Sequence, residues 1–172
     1  LFLAGLSLFG AFLCKGFVGL FTFSFIFWIF IIKRNINFKR FFIDTSVLFF
    51  SALLPLIVLY FAVPESIDNI LAYINKQVVG SVQNVQTVET RFFILIRLFL
   101  ELIPMFLLII LPVAFTFKVK FSNSNIKWFW VFLLLGLSGV IPIMISMKQR
   151  GFYILATFPL FSIAFALLIV ER

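Results

Sequence analysis

The residues best suited to chemistry in this chain are cations set in the turns where apolar runs meet. Lys15 precedes Gly16 between two such runs, and Lys148, Gln149 and Arg150 lie between two others, with Tyr153 shortly after. A fixed ammonium or guanidinium stabilises an anion forming beside it, and does so more strongly away from bulk water. Lys15 and Lys148 would act as point charges. Arg150 would add a planar, multidentate contact suited to phosphate. Tyr153 carries a hydroxyl that can donate to phosphate or sugar, and Gly16 permits a tight turn or a close backbone approach. The ordinary alternative is that Lys and Arg snorkel toward lipid headgroups, Tyr153 belongs to an aromatic belt and Gly16 ends a helix.

A second group lies within an apolar run. Arg97 and Glu101 are four positions apart, so on a helix they meet on one face. An ion pair in hydrocarbon is costly unless it faces protein or a wet cavity, so the pair either braces a bundle or lines a cavity. Arg91, nearer the end of that run, is a further candidate phosphate contact. The acids Glu65, Asp68 and Glu89 show no close pairing with metal-ligand spacing, and Asp68 is explained by its place near a helix start. No metal site is expected from these residues. Cys14 is the only cysteine and histidine is absent, which excludes an internal disulfide, thiolate clusters, histidine-ligated zinc and histidine-dependent triads within this sequence.

Composition says what must position these groups. Of 172 residues 64% are hydrophobic and 12% charged, in long unbroken apolar runs that a soluble core would not contain. With about 20 residues needed to cross a bilayer core of about 30 Å, six candidate spans emerge, at approximately 1–14, 17–32, 41–63, 92–117, 128–147 and 152–170. The first 32 residues would reach about 48 Å as one helix, so two crossings with a turn at Lys15-Gly16 are expected. The fold class is therefore all-α, a polytopic transmembrane bundle of about six helices over residues 1–172. The chain opens at Leu1 inside an apolar run and closes at Glu171-Arg172 just after another, which reads as an internal or C-terminal piece of a longer protein.

Charge gives the orientation. Lys33, Arg34, Lys39 and Arg40 crowd one connector without an acid, and Lys118, Lys120 and Lys127 follow the fourth span, so both connectors should be cytoplasmic. The connector 64–91 lacks that basic excess and should lie outside. Within it Ile67, Ile70, Leu71, Ile74 and Val78 recur at helical spacing, which predicts a short interfacial helix, with Gly80 as its stop and a polar loop after it. Lys15 and the Lys148–Arg150 cluster then fall in external turns, against the usual bias, and an anionic partner would account for them. The net charge of +8 is explained by topology and not by nucleic-acid binding, because the basic residues are dispersed among the spans.

The stretch GLSLFGAFLCKGFVGLF, residues 5–21, resembles the small-residue helix, Lys-Gly turn and following helix of polyprenyl-phosphate-dependent membrane glycosyltransferases. That GT-C superfamily includes protein O-mannosyltransferases and lipid A aminoarabinose transferases. A second stretch, ISMKQRGFYILATFPLFSIAFALL, residues 145–168, resembles their later pattern through Ser146, Lys148, Tyr153 and Pro159. Phe17 and Ala156 stand where many relatives carry proline, so local helix geometry there should differ.

The resemblance implies a GT-C-like, incomplete bundle whose external face takes a polyprenyl-phosphate sugar and transfers the sugar to a lipid, glycan or protein acceptor. It assigns Lys15, Lys148 and Tyr153 to the donor phosphate, with Arg150 close enough in sequence to join them; Gly16, Arg91, Arg97 and Glu101 are candidates for the cavity wall from their own placement. The catalytic acid would lie upstream of Leu1. It implies no cofactor within these residues, leaves a divalent metal open for a longer chain, and points to a bacterial inner membrane with a periplasmic working face. A transporter or flippase of an anionic or lipid-linked substrate is the competing class, although the halves show only a weak echo between CKGFVGL and KQRGFYI. A noncatalytic membrane scaffold is the third.

Overall fold

The computed structural model describes residues 1–34, 36–75, 87–115, 123–145 and 149–169, and among them there is no strand. The helices are α1 (Phe2–Lys15), α2 (Phe25–Lys33), α3 (Phe38–Ala62), α4 (Glu65–Tyr73), α5 (Phe93–Phe115), α6 (Asn123–Val140) and α7 (Phe158–Ile169). Three 3₁₀ stretches, Gly16–Ser24, Ile141–Ile145 and Gly151–Thr157, precede or extend them. This is an all-α bundle of a membrane protein. Phe2–Lys33, Phe38–Ala62, Ser124–Ile145 and Gly151–Leu168 are long and apolar enough to cross a bilayer, and the 23 residues of α5 reach about 34 Å.

The first of those stretches is a hairpin. Gly19 packs directly on the backbone of Ala11, and the rings of Phe12 and Phe17 meet edge to face at 5.6 Å. Residues eight apart on a straight helix would be separated by about 12 Å, so the chain reverses at Lys15-Gly16, as the apolar lengths imply. The return limb combines nine 3₁₀ residues with nine α-helical ones. At about 2.0 and 1.5 Å per residue it covers about 31 Å, so its 18 residues match the bilayer core.

Two helix boundaries differ from the apolar counts. α3 starts at Phe38 and α6 at Asn123, both earlier than the hydrophobic runs. Counting apolar residues finds the hydrocarbon-embedded part, whereas backbone hydrogen bonding carries a helix on through polar turns such as Asn123-Ser124-Asn125. A short helix is present in the connector as α4, beginning after Pro64 with Glu65 and Asp68 in its first turn. The expected end of that helix at Val78 and Gly80, and most of the polar loop, fall outside the described residues.

Small residues bring the helices together. Gly5 of α1 meets Ser51 and Leu48 of α3, while Gly136 and Gly139 of α6 meet Phe161 of α7 and Thr157. Without a hydrophobic drive between helices in lipid, such close approach supplies the dispersion contacts that hold the bundle. Ile94, Leu98, Leu102, Val140, Ile143, Ile154 and Phe161 form the buried core, with Val18 packed against it.

These contacts define two ends. Gln149 bonded to Ile94 and Arg91, and Gly139 packed on Thr157 and Phe21, bring the limb after Gly16, the residues around Gly151 and the start of α5 to one end. At the other, Lys33 Nζ lies 3.6 Å over the Trp128 ring, joining the end of α2 to the start of α6. The two connectors that charge bias assigns to one side of the membrane therefore meet at one end of the molecule.

Candidate functional site

The Gly16 end carries two adjoining constructions. In the first, Lys15 closes α1 with its side chain exposed, and Gly16 turns the chain at φ 62° and ψ −146°. This conformation is rare for residues bearing a side chain. Gly16 is also buried beneath the hydroxyl of Tyr73, which occupies the space that a Cβ would need. The last turn of α4 is thus seated on the hairpin turn. Alongside is an apolar groove of about 420 Å³, whose wall includes Phe12, Phe17 and Leu20 of the hairpin, Leu53 and Leu56 of α3, and Ile70. One cation and one apolar groove adjoin at this end. Together they can receive an amphiphile with an anionic head.

The second construction is organised by Gln149. Its side chain is only 2% exposed, and its Oε1 accepts a hydrogen bond from the backbone N–H of Ile94 at 3.0 Å. Its Nε2 donates to the carbonyl of Arg91 at 2.9 Å, and its own carbonyl accepts from Thr87 Oγ1 at 3.1 Å. One amide therefore satisfies a free donor at the start of α5 and ties that start to the residues that lead into α7. Arg150 follows it, extended and exposed, with its carbonyl accepting from the Tyr153 N–H at 3.0 Å. Tyr153 is half-buried against the core.

Arg97 and Glu101 form the expected pair, Nε to Oε1 at 2.7 Å, with side chains 47% and 28% exposed. The pair lies on the outside of the described bundle, not within it. Arg97 is about 6 Å along α5 from its start, so it reaches the interface easily, and its guanidinium rests against Gly151 where a Cβ would otherwise stand. Arg91 is exposed at the same end. Arg91, Arg97 and Arg150 are therefore neighbours in the fold, linked through Gln149 and Gly151.

Neither Lys15 nor Arg150 forms an ion pair with any described residue. Lys148 and Ser146 fall outside the described residues. Among the described residues no three acids, cysteines or histidines cluster as metal ligands. Tyr73, Gln149 and Gly151 hold this end together without having been singled out by sequence reasoning. An uncharged amide between Lys148 and Arg150 was the only signal for Gln149, and Tyr73 lies off the apolar stripe of its helix.

No family model, curated protein or solved structure matches this chain. The resemblance to the glycosyltransferases rests on the two sequence stretches that carry it.

Proposed function

We propose that this chain is the donor-binding part of a membrane glycosyltransferase that takes a sugar from a polyprenyl-phosphate carrier and delivers it to a lipid, glycan or protein acceptor. The observation that carries this reading is the pairing of Lys15, at a turn that only glycine makes comfortably, with an apolar groove beside it. A polyprenyl phosphate has the same two parts. The working face is the one opposite the Lys33 end, and charge bias makes it extracytoplasmic, the periplasmic side of a bacterial inner membrane.

In the transfer, an acceptor hydroxyl attacks the anomeric carbon while the bond from that carbon to the phosphate oxygen breaks. The carrier phosphate leaves with the electron pair, and the acceptor proton passes to a base not assigned among these residues. Negative charge grows on the phosphate as the bond stretches, so Lys15, Lys148 and Arg150 favour the transition state over the ground state. Tyr153 adds a hydroxyl near Arg150. Arg91, Arg97 and Glu101 set the charge around them, and Gly16 makes the turn that presents Lys15.

The test is transfer of labelled sugar in membranes containing the full-length chain. Replacing Lys15 or Lys148 with Ala should lower transfer by about 10²-fold, the effect of losing one preorganised donor to a developing anion, while leaving the amount of inserted protein unchanged. Unchanged transfer in both variants would remove the phosphate-site reading. Movement of the intact carrier across vesicles without release of its sugar would instead favour a flippase.

A further inference from the structure

The opposite end of the molecule carries a second amphiphile-shaped feature, independent of the proposed transfer. Five cations, Lys33, Arg34, Lys39, Arg40 and Lys127, gather there with Asp44 as the one acid among the described residues of these segments. Two of the five are already engaged. Arg40 pairs with Asp44 at 3.5 Å and Lys33 lies over Trp128. Arg34 and Lys39 are exposed and form no ion pair with a described residue.

From this cluster an apolar groove of about 560 Å³ runs along α3, walled by Phe2, Phe42, Ile43, Val47, Phe50 and Leu54. Lys39 belongs to the same helical stripe, since Ile43 and Phe50 follow it at four and eleven positions. From Lys39 to Leu54 is about 22 Å along the helix axis. One leaflet of the hydrocarbon core is about 15 Å deep, so the groove has room for an acyl chain whose headgroup stays at the cation.

We infer that this groove binds one anionic phospholipid of the leaflet that Lys39 faces, its phosphate on Lys39 and Arg34 and one acyl chain against Phe42, Phe50 and Leu54. Charge bias makes that leaflet the cytoplasmic one, where anionic headgroups attract juxtamembrane Lys and Arg. A protein helix is the weaker fit. Helix pairs inside this bundle meet at Gly5 with Ser51 and at Gly136 with Phe161, whereas the groove wall is bulky, with Phe42 65% and Phe50 66% exposed. Flexible acyl chains fill such a surface better than a rigid helix does.

The test uses the full-length chain in bilayer discs of phosphatidylglycerol and phosphatidylcholine, followed by native mass spectrometry of the lipid retained after mild detergent extraction. Phosphatidylglycerol should be retained preferentially. Lys39→Gln and Arg34→Gln should each weaken retention about fivefold, Lys39→Arg should preserve it, and Leu54→Trp should weaken it with every charge in place. Glycerol phosphate should not compete; competition would point to a free-phosphate site and overturn the lipid assignment. Equal retention of both lipids, or a loss in Lys15→Gln as large as in Lys39→Gln, would also overturn it. So would retention of a second copy of the chain in place of lipid.

Discussion

Two turns at one end of the bundle begin alike and are held differently. At each, a basic residue precedes glycine, a 3₁₀ stretch follows, and that stretch passes into an α-helix: Lys15 and Gly16 lead to Phe25–Lys33, Arg150 and Gly151 to Phe158–Ile169. Gly16 is required by backbone conformation, since its φ is positive and a phenol closes over it. Gly151 has no positive φ; it is required by space, because the Arg97 guanidinium rests on it. The first turn is locked by its own backbone, the second by the buried Gln149 amide beside it. A similar string of residues can thus be placed by unrelated forces.

Substitutions separate these forces. The largest effect should come from Gln149→Leu, which strands the Ile94 N–H and the Arg91 carbonyl at about 1–3 kcal/mol each. Thermal unfolding in detergent should show a loss of about 2–6 kcal/mol. Gln149→Glu keeps the acceptor for Ile94 but loses the donor to Arg91, so it should fall between Leu and the native residue. A loss in Gln149→Leu no greater than in Gln149→Glu would mean that the amide is not the clamp.

Next in size is Gly16→Ala, expected to cost about 1–3 kcal/mol from backbone strain. Adding Tyr73→Phe removes the hydroxyl above the new methyl but not the strain, so only part of the stability should return. Full recovery would assign the first turn to space as well, erasing the contrast. Gly151→Ala should be the mildest, within about 1 kcal/mol, because the neighbour displaced is the flexible, half-exposed end of Arg97, whose surface ion pair with Glu101 is worth little. Its signature should be a loss of transfer larger than its loss of stability, as Arg97 swings away. An unfolding loss matching that of Gly16→Ala would contradict the assignment.

The apolar runs made the helices legible, because a 30 Å hydrocarbon core imposes a minimum length that sequence displays directly. They also made the hairpin legible, since 32 residues fit neither one ordinary crossing nor a loose pair. The 3₁₀ stretches had no signal in the sequence. Their extent was not readable, because α and 3₁₀ backbones share nearly the same residue preferences. The candidate site was readable in part: charge placement put Lys15, Arg91 and Arg150 near one end, whereas Arg97 was expected within its span and rests against Gly151. Its mechanical parts were not, because Gln149 acts on Ile94 and Arg91 across 55 and 58 positions, a relation no local pattern contains. The hydroxyl of Tyr73 over Gly16 is the same kind of long-range fact.

The proposed function requires that the Gly16 end, and not the Lys33 end, receive the polyprenyl-phosphate carrier. Its most direct measurement is the affinity of the full-length protein in detergent for polyprenyl phosphate, compared between the native chain, Lys15→Gln and Lys39→Gln. Lys15→Gln should weaken binding by at least about fivefold, the effect of one basic residue at a membrane surface, and Lys39→Gln should leave it unchanged. Unchanged affinity in Lys15→Gln, or a loss confined to Lys39→Gln, would contradict the account.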